Sequence, residues 1–226
     1  MMKTLLTDEQ TAKLERYRDG ILEINRTMNL TRVEDPQEFW DKHVLDSLAC
    51  VGMEEYAEAH RVLDLGTGAG FPGIPLSVFS PDKEFLLVDS VGKKLKAVED
   101  EARKIGLTNV SFVHGRAEDL ARETEYREAF DLCVSRAVAG LPVLLEYCLP
   151  FIKVGGHVLS YKGPGYQEEV DASANALKKL GGEIVSVQRA GLEEKDMDHY
   201  IIVVRKTTRT PKQYPRKAGT PSKNPL

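Results

Sequence analysis

Residues 64–73, DLGTGAGFPG, constrain the fold of this chain more than any other stretch of its sequence. They follow a short apolar run, RVLDLG at 61–66, and they lead into a segment with the composition of a helix. Glycines in such a turn let the backbone come within contact distance of a ligand. The order of strand, glycine-rich turn and helix therefore predicts a cofactor site at the carboxyl end of a parallel sheet.

The loop contains two overlapping glycine spacings, which favour different cofactors. Gly66, Gly68 and Gly70 form G-x-G-x-G, a spacing that suggests the sulfonium cofactor S-adenosylmethionine (SAM). Gly68, Gly70 and Gly73 form G-x-G-x-x-G, the fingerprint of dinucleotide-binding loops. Asp64 at the strand end favours SAM, because a carboxylate attracts the positive sulfur and amino group but repels a pyrophosphate; a cap of the following helix is the alternative.

Three more positions follow predicted strands and extend the expected cofactor site. Asp89 closes the second strand, where an acidic residue accepts hydrogen bonds from ribose hydroxyls of either cofactor. Ala117 and Glu118 follow the third strand and are expected to border an adenine ring, although Glu118 is also compatible with a plain helix start. Arg136 ends the fourth strand and is expected to contact SAM or the target base; an ion pair with Asp64 or Glu118 is the alternative.

The hydrophobic pattern alternates between amphipathic helices and short apolar runs. The predicted strands cover 61–66, 84–90, 109–115, 130–137, 155–163, 182–190 and 198–206. The predicted helices cover 7–29, 36–51, 74–80, 91–106, 141–151 and 166–180. Alternation of this kind indicates a parallel sheet covered on both faces. Only a short loop joins the last two strands, so we expect them to be antiparallel.

Together these elements predict an α/β fold with a doubly wound, Rossmann-like, mostly parallel seven-stranded sheet and an antiparallel last strand, preceded by N-terminal helices. This arrangement resembles the class I SAM-dependent methyltransferase fold. We expect a helical extension packed on the core at 1–55, a methyltransferase domain at 56–206 and a basic tail at 207–226.

The charge of the chain is distributed unevenly. Seven of its 31 lysines and arginines follow Asp198, after which no acidic residue occurs, and the remaining 24 face 35 acidic residues. A basic tail on an acidic body favours contact with a polyanion, with a solubilising tail as the alternative. Because the tail lacks an apolar face, we expect it to become ordered only against a partner.

Composition also argues against several classes of protein. No run of 18 apolar residues occurs, and the N-terminus lacks the apolar stretch of a signal peptide, so we expect a cytoplasmic protein without a membrane partner. Cys50, Cys133 and Cys148 lie in apolar contexts without C-x-x-C spacing. We therefore expect buried thiols, no disulfide framework and no metal site. Nothing in the sequence requires more than a monomer.

Eight stretches spread over nearly the whole sequence resemble the RsmG (GidB) family of small-subunit rRNA guanine-N7 methyltransferases. They are MNLTRV (28–33), KHVLDSL (42–48), DLGTGAGFPGIPL (64–76), LVDSVGKK (87–94), GRAE (115–118), VSRAVAGL (134–141), YKG (161–163) and RKAGTPSKNPL (216–226). The glycine loop with GFPGIPL and the C-terminal RKAGTPSKNPL are the most specific. Gly92 and the long stretch 119–130 depart from the family pattern without touching the motif residues.

The resemblance implies methylation of N7 of guanine 527, in the 530 loop of 16S rRNA of the small ribosomal subunit, with S-adenosylhomocysteine as the second product. Carried over position by position, it implies that SAM is bound by Gly66, Phe71, Ala117, Glu118 and Arg136, with Asp89 as the ribose-binding acid. Phe71 is expected either to stack on the cofactor or base, or to pack beneath the loop.

The chemistry of this reaction needs no general base, because guanine N7 carries a free lone pair at neutral pH. Catalysis then depends on holding the reacting atoms in line. We therefore name no catalytic residue, and the sequence has neither a [D/N]-P-P-[Y/F] motif nor a Pro-Cys after the fourth strand. His43 and Asp46 lie within a predicted helix and are expected to form a buried hydrogen-bonded pair.

RNA contacts are expected from one polar and five basic residues: Asn29, Arg136, Lys162, Arg216, Lys217 and Lys223. For Asn29 a helix C-cap is an equally good interpretation. Two other classes of function remain open at this point. They are an NAD-dependent oxidoreductase and a non-catalytic ribosome-binding module.

Overall fold

Seven strands form one sheet, in the order β3-β2-β1-β4-β5-β7-β6, in the computed structural model, which describes residues 5–190 and 198–226. The strands are β1 Arg61–Leu65, β2 Glu84–Asp89, β3 Val110–His114, β4 Phe130–Arg136, β5 Ile152–Lys162, β6 Gly182–Arg189 and β7 Tyr200–Lys206. Strands β1 to β5 pair in parallel, and β7 runs antiparallel to both β5 and β6. The predicted fold class and the antiparallel last strand are confirmed.

The helices cover both faces and one end of this sheet. They are α1 Asp8–Met28, α2 Pro36–Phe39, α3 Glu54–Ala57, α4 Gly73–Phe79, α5 Gly92–Lys104, α6 Ala117–Leu120, α7 Leu141–Cys148, α8 Tyr166–Asp171, α9 Ala174–Leu180 and α10 Thr220–Lys223. The helix expected at 36–51 consists of α2, a π-helical turn (Trp40–Leu45) and a 3-10 turn (Leu48–Cys50). Within the described residues, no helix is both long enough and apolar enough to cross a membrane.

Local signals explain the bounds of the first helix. Thr7 accepts a hydrogen bond from the amide of Gln10, whose side chain in turn accepts one from the Thr7 amide, a reciprocal capping box. Tyr17 and Ile21 are buried at helical spacing and point into the core. The helix ends at Met28, and Asn29, which has a left-handed φ of 51°, is its C-cap.

Neighbouring residues of the central strands enter two separate core layers. Val62 and Val134 pack with side chains of α1 and α4 on one face, while Leu63 and Cys133 pack with α7 and α9 on the other. Strands buried on both faces read as continuous apolar runs, which is why the sequence reveals them. The three-part division at residues 55 and 206 stays a prediction, and α3 crosses the first of those boundaries.

The C-terminal tail is ordered against the body of the protein. Tyr214 is buried, and the Arg127 guanidinium donates hydrogen bonds to the carbonyls of Thr210 and Tyr214 at 2.8 and 3.0 Å. Arg216 forms a bidentate pair with the wholly buried carboxylate of Glu146. The expectation that the tail orders only against a partner is wrong, because these contacts satisfy its polar groups within the same chain.

We predict that Arg216→Ala lowers the free energy of unfolding by about 2–3 kcal/mol, because it leaves the buried Glu146 carboxylate without its charged partner. Urea unfolding at pH 7 measures the change. The matched control is Arg209→Ala, whose side chain is 87% exposed and lies 3.8 Å from Glu128; its effect should stay below about 0.5 kcal/mol. Equal effects of the two substitutions would contradict the assigned role of the Arg216 pair.

Candidate functional site

The main cleft lies at the carboxyl ends of β1 and β4, where the strand order reverses, the position at which open α/β sheets bind ligands. It encloses about 680 Å³ between the glycine loop, the loop after β4, the π-helical turn and the end of β5. A smaller cavity of about 110 Å³ lies between the ends of β1 and β2 and helix α6. Gly66 and Val138 line both cavities, so the two meet at the first glycine of the loop.

The first three glycines of the loop have backbone conformations that L side chains rarely adopt. Gly66, Gly68 and Gly70 have φ values of 75°, 58° and 89°. A Cβ on Gly66 would lie 2.4 Å from Val138, and one on Gly70 would lie 2.2 Å from the Tyr17 hydroxyl, whereas one on Gly68 would meet nothing within 4 Å. The loop is therefore enclosed at its two ends and open to a ligand in its middle.

Asp64 lies beneath this loop and is wholly buried. Its Oδ2 accepts hydrogen bonds from the Thr67 hydroxyl at 2.6 Å and from the Gly73 amide at 2.8 Å. Among the residues that the structure describes, none donates a hydrogen bond to Oδ1. Burial raises the pKa of the carboxyl to about 7. Asp64 is not among the residues that line the cleft, so the attraction for a cation that we expected of it stays a prediction and would have to act from behind the loop.

Three residues that we expected to bind the cofactor, Asp89, Ala117 and Glu118, line the smaller cavity. Asp89 accepts hydrogen bonds from the Gly68 amide at 2.9 Å and the Val91 amide at 2.8 Å, and each oxygen retains a second lone pair. Ala117 and Glu118 line the same cavity, and Glu118 is only 4% exposed. The sequence-predicted acids of β2 and α6 thus lie on the walls of one space.

Arg136 lies at the rim of the main cleft, where its guanidinium is fixed by the N-terminal helices. Nη1 donates to Asp46 Oδ2 at 2.5 Å and to the Lys42 carbonyl at 2.9 Å, and Nη2 contacts His43 Nδ1 at 3.2 Å. The alternative ion pair with Asp64 or Glu118 is wrong, because the guanidinium pairs with Asp46 instead.

The π-helical turn explains how a helix carbonyl becomes available to Arg136. The amide of Asp46 donates hydrogen bonds to the carbonyls of Asp41 and His43, and makes none to the carbonyl of Lys42. In a regular α-helix that carbonyl would accept the bond from Asp46. Here it accepts a hydrogen bond from Arg136 instead, as π-helical turns often allow at functional sites.

His43 is a neutral hydrogen-bonding residue of the cleft wall. Burial, reinforced by the charge of Arg136, lowers its pKa to about 4. Its Nε2 lies 2.7 Å from the Thr31 hydroxyl, and its Nδ1 faces the Arg136 guanidinium, which assigns the proton to Nε2. The ring stacks on Phe71 at 4.7 Å between centroids. Phe71 is therefore packed beneath the loop while it lines the cleft.

Asp46 connects Arg136 to His199, a residue that the sequence did not identify. His199 Nδ1 lies 2.8 Å from Asp46 Oδ1, and this hydrogen bond raises the pKa of the imidazole. Burial opposes the ionisation of Asp46, but the bonds from His199 and Arg136 hold the pKa of Asp46 below its ordinary value. The side chains of His43 and Asp46 are connected through the Arg136 guanidinium, whereas the sequence predicted a direct hydrogen bond between them. Because 153 residues separate His199 from Asp46, no local pattern indicates this contact.

The residues that we expected to contact RNA lie in different environments. Lys162 lines the main cleft, where it bonds to Glu169 at 2.6 Å and to the Ala139 carbonyl at 2.7 Å. Lys217 and Lys223 are exposed on the tail. The phosphate contact expected of Arg216 has no support, because its guanidinium is directed at the buried Glu146. Asn29 caps α1, as the alternative interpretation stated.

We predict that Asp46→Asn lowers the pKa of His199, because the bond that favours the imidazolium is lost while the charge of Arg136 remains. NMR titration of the histidine ring protons measures it. The control signal is His157, whose pKa is lowered by burial and which should not respond. An unchanged His199 curve would show that Asp46 does not hold this proton.

Comparisons with known proteins agree with this geometry. The sequence profile of the family described as rRNA small subunit methyltransferase G matches residues 10–197. The protein named ribosomal RNA small subunit methyltransferase G from Alkaliphilus metalliredigens is 45% identical over 221 residues, which cover 98% of this chain and 92% of that protein. Its namesake from Desulfitobacterium hafniense is 48% identical over 221 residues, covering 98% and 91%.

Solved structures share the fold at much lower identity. A SAM dependent methyltransferase from Aquifex aeolicus superposes with a TM-score of 0.58 at 18% identity, covering 79% of this chain and 97% of that one. A ribosomal protein L11 methylase from Lactobacillus delbrueckii subsp. bulgaricus gives a TM-score of 0.54 at 19% identity, covering 73% and 77%.

Proposed function

Since this chain belongs to the rRNA small subunit methyltransferase G family, we propose that it is the SAM-dependent methyltransferase of N7 of a guanine in 16S rRNA of the small ribosomal subunit. The guanine implied by the family is position 527, in the 530 loop. One observation carries the proposal. The glycine loop lies where a small acidic cavity meets a cleft of about 680 Å³, so a cofactor bound in the first can present its methyl group in the second.

The acidic groups around the loop fit SAM better than a dinucleotide. Asp64 lies behind the loop with one oxygen unsatisfied within the described residues, and Asp89 and Glu118 line the smaller cavity. A pyrophosphate placed on this loop would face the carboxyl groups of the smaller cavity, whereas a cationic cofactor is attracted by them. The open side of Gly68 gives a ligand access to the loop backbone. We propose that Asp89 binds the ribose and that Ala117 and Glu118 hold the adenine.

The residues of the main cleft suit a reaction that depends on orientation. When bound, SAM supplies a methyl group on a positively charged sulfur. The N7 lone pair needs no base, and His43 is poorly suited to be one, since both its ring nitrogens are engaged and its pKa is about 4. Arg136 uses three of its five N–H donors on the N-terminal helices, and the two that bond to none of the described residues are proposed to serve the cofactor or the target base.

The RNA is proposed to approach from the side of the basic tail. Lys217 and Lys223 are exposed, and no acidic residue follows Asp198. Lys162 lies at the end of β5 in the cleft, where it is placed to meet a phosphate if Glu169 releases it. Because small-subunit rRNA is its substrate, we propose that the enzyme acts in the cytoplasm. We also propose that it is a monomer and has no membrane partner.

We predict that Gly66→Asp abolishes methyl transfer from labelled SAM to small subunits that lack this methylation, because the side chain fills the junction of the two cavities. Gly106→Asp is the matched control. Gly106 has nearly the same φ, 76°, but a Cβ there meets nothing within 4 Å, and the residue lies outside the cleft. Calorimetry should show SAM binding to the control protein alone, with both proteins folded.

Thermal melting with each cofactor, together with the labelling of small subunits, distinguishes the two rival functions. A protein that is stabilised against melting by NAD, but not by SAM or S-adenosylhomocysteine, would be an oxidoreductase. A protein that binds small subunits and leaves them unlabelled would be a non-catalytic ribosome-binding module. Label at a nucleotide other than the expected guanine, located by chemical cleavage at 7-methylguanosine, would correct the substrate position alone.

We predict that replacing both Lys217 and Lys223 with Ala weakens binding to small subunits and reduces the slope of log affinity against log salt by about 1–2, as expected when up to two phosphate contacts are lost. The control is Lys153→Ala, which removes a charge at the amino-terminal end of β5. The cleft lies at the opposite, carboxyl ends of the parallel strands. An equal change in slope for the control would count against a phosphate role of the tail.

A further inference from the structure

The C-terminal segment at residues 216–223, called here the C-terminal strap, lies against the wall of the smaller cavity. The amide of Gly219 donates a hydrogen bond to Glu118 Oε1 at 2.9 Å. The side chain of Ser222 interacts with the phenol of Tyr147, a second residue of that wall. Two residues that line the smaller cavity are thus contacted from behind by the strap.

Contacts at its amino-terminal end hold the strap in place. Both the backbone amide and the guanidinium of Arg216 donate to Glu146, which is wholly buried and precedes Tyr147 in α7. The Pro215 carbonyl accepts a hydrogen bond from Arg122, which follows α6. The strap therefore connects α6 and α7, the two helices that contribute Glu118 and Tyr147 to the lining of the smaller cavity.

We propose that the C-terminal strap is a positioning element for the cofactor, acting through Glu118. The Gly219 amide engages Oε1 in a charge-assisted hydrogen bond and so fixes the plane of the carboxylate. Oε2 is left to accept a hydrogen bond from the exocyclic amino group of an adenine ring. This inference rests on the proposed function, because it places the adenine of SAM or S-adenosylhomocysteine in the smaller cavity.

The conformation of Gly219 allows a test that changes the strap through its backbone alone. Its φ is 81°, in the left-handed region, and a Cβ there would meet nothing within 4 Å. Asn tolerates this region, whereas a β-branched residue is strongly disfavoured in it. Gly219→Val should therefore rotate the amide away from Glu118, and Gly219→Asn should leave the amide in place without steric conflict.

The experiment measures binding of S-adenosylhomocysteine to the full chain by calorimetry. We expect Gly219→Val to weaken binding at least fivefold and Gly219→Asn to stay within twofold of the unchanged protein. Gly219→Ala, with an intermediate backbone cost, should fall between them and replaces the Val variant if that protein does not fold. Circular dichroism establishes that each variant is folded.

A second ligand separates positioning from a merely structural effect. In the hypoxanthine analogue of S-adenosylhomocysteine an oxygen replaces the exocyclic amino group, so it has no donor for Glu118 at that position. The unchanged protein should prefer the adenine ligand, and Gly219→Val should lose most of that preference. An equal loss of affinity for both ligands, or no loss for either, would overturn the inference while leaving the proposed function intact. Failure of the unchanged protein to bind S-adenosylhomocysteine would overturn the proposed function itself.

Discussion

The buried carboxylate of Asp64 is the interaction on which the rest of the site depends. Through one oxygen it holds the Thr67 hydroxyl and the Gly73 amide, and so joins the end of β1, the glycine loop and the first turn of α4. Burial of this group is unfavourable to its charge, as its raised pKa shows. The energetic cost is offset by hydrogen bonds that keep the loop backbone in an otherwise rare conformation.

The same arrangement recurs twice around the smaller cavity. Asp89 holds the amide of Gly68, and Glu118 holds the amide of Gly219, in each case from a carboxylate that lines the space. A carboxylate that is hydrogen-bonded to a backbone amide has a restricted orientation but retains lone pairs for a ligand. Three acids thus shape the backbone around the site that we propose for one cationic cofactor.

The main cleft depends on a different kind of contact, made between parts of the chain far apart in sequence. Arg136 follows β4, but its guanidinium is held by residues 42, 43 and 46 of the N-terminal helices, and Asp46 in turn binds His199 before β7. The N-terminal helices therefore complete the cleft as well as covering the sheet. Their π-helical turn is the local distortion that releases a carbonyl for Arg136.

The amino-acid pattern was enough to predict the seven strands, the antiparallel last pair, the glycine loop and the positions of Asp89, Ala117 and Glu118 at one edge of the sheet. The central strands β1 and β4 read as continuous apolar runs because they are buried on both faces, and parallel strands bring their carboxyl ends to the same edge. The folded chain was needed to show that Asp64 lies behind the loop, that Arg136 pairs with Asp46, that His199 joins the cleft, and that the basic tail packs on α6 and α7. Partner choice among charged groups depends on distances across the folded chain, and neither periodicity nor spacing encodes those distances.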